Sequence, residues 1–111
     1  MIIIDDNNNI TMTRGDSALI QIGMVRNGEP ITPVEGEVVR FAVKAKYKDP
    51  DENVLIYKEI PLDTLLLEIL PEDTKQLVMG KTYVYDVQYT DINGRVDTFI
   101  LGELTIGEEV I

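Results

Sequence analysis

Carboxylates, tyrosines and one basic stripe are the residues of this chain whose types could do chemistry. Asp86 and Asp97 sit in neighbouring apolar stretches. A polysaccharide-cleaving enzyme works with two carboxylates roughly 5–10 Å apart. Asp97 is expected opposite Thr90, away from Asp86, so both read as solvated or ion-paired surface groups. Asp49, Asp51 and Asn53 alternate like the start of a calcium loop. Its glycine position would be Val54 and its closing glutamate position Ile60, which excludes an EF-hand. Arg14-Gly15-Asp16 spells a cell-adhesion tripeptide and reads as a turn in which glycine supplies the bend. Lys44, Lys46 and Lys48 form a stripe expected to meet Asp86 or Glu103 on a neighbouring strand. Tyr83, Tyr85 and Tyr89 would make a sugar platform if they faced solvent, but their alternation with Asp86 and Gln88 turns them to the core.

The 111 residues contain no histidine and no cysteine. That removes the commonest general base, thiol nucleophiles and the usual transition-metal ligands. No catalytic residue, metal site or cofactor is expected, and the chain reads as a non-enzyme. Twenty acidic residues against ten basic ones leave a net charge of −10. Nucleic acid and anionic membranes are poor partners for such a surface. The opening Met1-Ile2-Ile3-Ile4-Asp5-Asp6 lacks a basic segment, so it is no signal peptide. The apolar runs fall far short of the ~20 residues of a membrane helix.

The elements that must position these residues alternate with period two. Val39, Phe41, Val43, Ala45 and Tyr47 form one apolar face, opposed by Arg40, Ala42, Lys44 and Lys46. Ala18, Ile20, Ile22 and Met24 form another, and Val54–Ile60 and Leu65–Leu70 add two strands. Asn27-Gly28 and Asn93-Gly94 are hairpin signals, because a type I′ turn needs two residues at positive φ. A two-residue loop at Asn93-Gly94 sets Val87 against Ile100, Tyr89 against Thr98, Tyr83 against Leu104 and Tyr85 against Gly102. At Gly102 the missing side chain leaves room for the Tyr85 ring. The first hairpin brings Met24 to Ile31. Pro71-Glu72-Asp73 starts a short helical turn near residues 71–77, and the tail Gly107–Ile111 reads as loose.

Together these predict one all-β domain over residues 1–111: an immunoglobulin-like, two-sheet antiparallel sandwich of about seven strands. Such sandwiches carry a tyrosine at a corner, its hydroxyl bonded back to the chain, and Tyr83 is the candidate. Phe99 and Leu101 point outward in this register, share a face with Leu19 and Val25 if the sheet is continuous, and form a contact patch unless a loop or Ile2–Ile4 covers them.

Several segments resemble, in their order and spacing, a group of small phage and prophage proteins. They are Asn9–Ser17, the Asn27–Pro30 turn, Val39–Lys44, Pro71–Thr74 and the Gly80–Val87 strand. That group is related to the N-terminal domain of the upper baseplate protein of siphophages. The resemblance implies an immunoglobulin-like building block of a tail or baseplate. Its expected partners are other tail proteins, or further copies in a homo-oligomer. Its expected location is the virion, or the host cytoplasm during assembly. The chain stops soon after Ile106, which favours assembly over host attachment. Two other readings stand beside it: a carbohydrate-binding module, which needs exposed aromatics to hold a glycan, and an acidic mimic of nucleic acid.

Overall fold

Ten strands, one short α-helix and a 3-10 turn at Asp51–Asn53 make up the computed structural model, which describes residues 1–108. They are β1 (Ile2–Ile4), β2 (Ile10–Thr13), β3 (Ala18–Gln21), β4 (Val25–Arg26), β5 (Glu29–Pro30), β6 (Val38–Lys44), β7 (Ile56–Glu59), β8 (Leu66–Ile69), α1 (Pro71–Lys75), β9 (Thr82–Thr90) and β10 (Val96–Gly107). The all-β, sandwich-like domain is as expected, but its layers are unequal. One sheet has six strands in the order β1-β2-β10-β9-β6-β7. Two-stranded β3-β8 and the hairpin β4-β5 are separate. The strand count exceeds seven because short edge segments pair on their own. Nor is the sandwich wholly antiparallel: β2 runs parallel to β10, Ile10 lying beside Leu104 and Met12 beside Ile106.

Alternation explains the core. Val39, Phe41 and Val43 of β6, Tyr83, Tyr85, Val87 and Tyr89 of β9, and Leu104 and Ile106 of β10 are buried. They join Ile10, Met12, Ala18, Ile20, Leu67 and Ile69 in one apolar cluster. Burial of this connected surface is the main favourable term in folding. The helical turn forms where proline and two acids predicted it. The Asp73 carboxylate accepts the Leu70 N–H at 2.7 Å and pairs with Lys58 Nζ at 2.8 Å, fixing the helix start. Of the tail, residues 109–111 lie outside the described residues.

The two Asn-Gly turns behave differently. Asn27 and Gly28 both have positive φ, as a type I′ turn requires, and the Ile31 N–H donates to the Met24 carbonyl at 2.9 Å, which continues the two-residue hairpin's ladder. At the second turn only Gly94 has positive φ. The Asp91 carboxylate accepts the N–H groups of Asn93 and Arg95, and the Gly94 N–H closes on the Asp91 carbonyl at 3.0 Å. This makes a longer loop than expected, with glycine in the left-handed position of a bulged turn. Next to the loop, Tyr89 therefore faces Asp97 rather than Thr98. From Ile100 onward the predicted pairs hold: Val87 with Ile100, Tyr85 with Gly102 and Tyr83 with Leu104. A bulge at Phe99 reconciles the two registers.

Candidate functional site

The bulge decides the fate of the expected contact patch. It turns Phe99 to the core side, where its ring centroid lies 6.1 Å from that of Tyr89 and 5.6 Å from the Arg26 guanidinium. Leu101 stays on the outer face and is exposed. Leu19 and Val25 belong to the other two sheets. Phe99 and Leu101 therefore lie on opposite faces of β10 and share no patch with each other, and Ile2–Ile4 pairs with β2 at the sheet edge instead of covering Leu101.

The three core tyrosines face inward as their alternation predicted, and each hydroxyl has a partner. Tyr83 accepts the Val78 N–H at 2.9 Å, a bond back to the chain of the kind expected at its corner. The Tyr85 hydroxyl donates to the Asn8 carbonyl. Tyr89 bonds the Glu37 carboxylate. Burial first, then the nearby Tyr47 and Asp5, pushes the Tyr85 phenol up to about 12 from an ordinary 10.0. Burial and the bonded Glu37 push Tyr89 to about 12 as well. Between those values the folded chain keeps protons that the unfolded chain has released. The stability that these two phenols contribute is therefore fully present below pH 10 and is lost as pH rises through about 12. Urea unfolding at a series of alkaline pH values checks this; a midpoint unchanged through that window would contradict it.

The remaining sequence candidates are taken up by local partners. Asp86 pairs with Arg40, and Asp97 with Arg26, so the two carboxylates serve separate ion pairs. Lys44 meets Asp51 at 2.7 Å and the Asp49 carbonyl at 3.1 Å, instead of Asp86 or Glu103. The Asp49 carboxylate accepts the Lys46 N–H at 3.2 Å, which ties this loop to itself. Arg14-Gly15-Asp16 is a turn: Gly15 has φ 85°, and the Asp16 N–H donates to the Thr13 carbonyl at 3.1 Å. Its arginine lies against the end of α1, donating to the carbonyls of Lys75 and Leu77.

Two surface features stand out instead. The first is β1, an outer strand of the six-stranded sheet made of three isoleucines. Ile3 is 54% exposed and Ile4 45%. Its outer edge carries no proline or charge to discourage pairing, whereas β7 at the opposite edge carries Lys58 and Glu59.

The second lies on the outer face of the same sheet. Leu101, Asp86, Ala42 and Tyr57 stand side by side in one row across β10, β9, β6 and β7. Thr98, Gln88, Arg40 and Glu59 form the next row. Ala42 is short among long neighbours and leaves two shallow depressions sharing Arg40, Ala42 and Lys44. One, of about 60 Å³, is flanked by Tyr47; the other, of about 280 Å³, by Tyr57. Tyr47 was expected on the apolar face of its strand, but β6 ends at Lys44. The turn that follows sends Tyr47 to the outer face, where its hydroxyl donates to the Gly102 carbonyl at 3.0 Å. Tyr57 had a weak signal: the uneven alternation of residues 54–60 left its side undecided. Among the described residues no group of carboxylates is placed to hold a metal ion, and no helix is long and apolar enough to cross a membrane. Comparisons with protein-family models, curated proteins and solved structures find no match.

Proposed function

We propose that this chain is a non-enzymatic structural component of a phage or prophage tail or baseplate, and that it acts by docking to neighbouring subunits. The observation that carries the reading is the outer edge of β1, which pairs with no strand among the described residues. An unpaired strand edge presents backbone N–H and C=O groups that an extended segment of another subunit satisfies. Ile3 and Ile4 add apolar surface that such a strand covers. The ordered resemblance of Asn9–Ser17, Asn27–Pro30, Pro71–Thr74 and Gly80–Val87 to small phage tail proteins supplies the biological setting.

The partner is another tail protein or a second copy of the chain. Capture from an induced lysogen, with mass spectrometry of what is retained, separates the two when combined with sedimentation of the purified chain. Ile3→Lys places a charge on the β1 edge and is expected to abolish the association while leaving the thermal midpoint nearly unchanged, since Ile3 is exposed. A chain that stays monomeric and retains no tail protein would overturn the proposal, as would association that survives the lysine.

A further inference from the structure

We propose that the outer face of the six-stranded sheet also binds an uncharged saccharide, seated over Ala42 and flanked by the rings of Tyr47 and Tyr57. Both residues are more than half exposed, in contrast to the three tyrosines of β9. Tyr47 is not a free rotor: its bond to the Gly102 carbonyl holds the ring in place before any ligand arrives. A wall set in advance reduces the ordering that binding must impose.

A sugar ring offers an apolar C–H face and an edge of hydroxyls. The first suits an aromatic wall, the second a few fixed donors and acceptors. Arg40 and Asp86 supply both, and their pairing holds each in position. The Gln88 amide steadies the carboxylate from the next row at 3.5 Å. The guanidinium gives one donor to Asp86, which leaves others for hydroxyl oxygens. The charges set the ligand class. Arg40 and Lys44 are matched by Asp86 and Asp51, and Glu59 and Glu103 lie on the same face. An anionic ligand meets no uncompensated cation there, whereas a neutral one meets no repulsion. The larger depression, about 280 Å³, lies near the lower end of small-molecule sites.

The site is separate from the docking edge, since β1 and β7 are the two outer strands of the sheet. The test is a neutral-oligosaccharide array, followed by amide NMR titration of the full chain with maltotriose, cellotriose and chitotriose at millimolar concentration. At least one sugar is expected to shift the amides of Arg40, Ala42, Tyr47 and Tyr57 and to saturate. Tyr57→Ala is expected to weaken it about tenfold. Ala42→Leu fills the floor and removes no contact, so it decides the matter if the tyrosine variant fails to fold. Silence across the array and all three sugars would overturn the proposal. So would shifts that saturate elsewhere, or binding that persists in Ala42→Leu. The Ile3→Lys chain should bind the sugar as the parent does, so that loss of docking and loss of this site are read separately.

Discussion

Replacing Gly102 by alanine is expected to destabilise the fold by about 3 kcal/mol, the upper part of the range for overpacking a filled site. For a domain of this size that lowers the thermal midpoint by roughly 10–15 °C. A methyl group at Gly102 would lie 2.7 Å from Cε2 of Tyr85, and closer still to the Asn8 carbonyl oxygen. One neighbour is a ring held in the core and the other is backbone, so neither can swing aside cheaply. The methyl also intrudes on the hydrogen bond from the Tyr85 hydroxyl to that carbonyl. Gly23→Ala is the control: nothing lies within 4 Å of its added carbon. Its stability should change by less than about 0.5 kcal/mol. In a Tyr85→Leu background the penalty of Gly102→Ala should shrink, because the two side chains compete for one space. Urea denaturation of the four chains measures this. Equal losses from Gly102→Ala and Gly23→Ala would show that the close approach is not what makes Gly102 glycine. The Gly102 carbonyl also receives the Tyr47 hydroxyl, so a backbone shift there should loosen the outer-face site too.

That prediction was half visible in the sequence, and the half that was hidden is instructive. Matching the apolar faces of residues 82–90 and 96–106 places Gly102 opposite Tyr85, as the structure has it. Local alternation does not reveal that the ring continues past the glycine to Asn8, because that contact joins residues far apart in the chain. The same division runs through the fold. Side-chain direction in β6, in β9 and in β10 from Ile100 onward, the Asn27-Gly28 turn and the Pro71 helix follow from neighbours in sequence, and all were legible. The parallel pairing of β2 with β10 depends on strands at opposite ends of the chain and has no local signature.

The missed bulge is a different case, for its signal was present. Asp91-Ile92-Asn93-Gly94 has aspartate at the first position of a turn and glycine at the fourth, the pattern of a type I turn. Asn-Gly alone suggested the shorter loop, and the side chain of Asp91 overrode it. Phe99 then had to turn inward, because the loop and the apolar faces demand registers one residue apart. The outer-face site was hidden for a further reason. Tyr47 lies beyond the end of its strand, where period two no longer says which way a side chain points. The candidate that the sequence offered in Phe99 and Leu101 was thus replaced by residues whose placement depends on where strands stop.

Arg14→Met should destabilise the protein by about 2–3 kcal/mol, and Asp16→Ala by less than about 1 kcal/mol. The difference follows from what each side chain holds. Arg14 Nε donates to the Leu77 carbonyl at 3.0 Å, and its terminal nitrogen to the Lys75 carbonyl. Carbonyls at a helix end lack partners within the helix, and an arginine fork supplies two donors to them from one side chain. The next residue reinforces the join, since the Gly15 N–H donates at 2.7 Å to the hydroxyl of Thr74, which is fully buried. With methionine at position 14 the stem volume remains, but the partly buried Leu77 carbonyl loses its charged donor. Arg14→Lys should recover less than half of the loss, because one ammonium lacks the geometry to reach both oxygens. Asp16 instead pairs with the N-terminal ammonium, and both groups are well exposed, so solvent replaces that contact at little cost. Urea denaturation of the three variants gives the order directly. An adhesion tripeptide would make the aspartate the indispensable residue for binding and leave stability indifferent to the arginine. A large loss at Arg14 beside a small one at Asp16 identifies the motif as the clasp between the β2–β3 turn and the end of α1. Equal, negligible losses would remove that role.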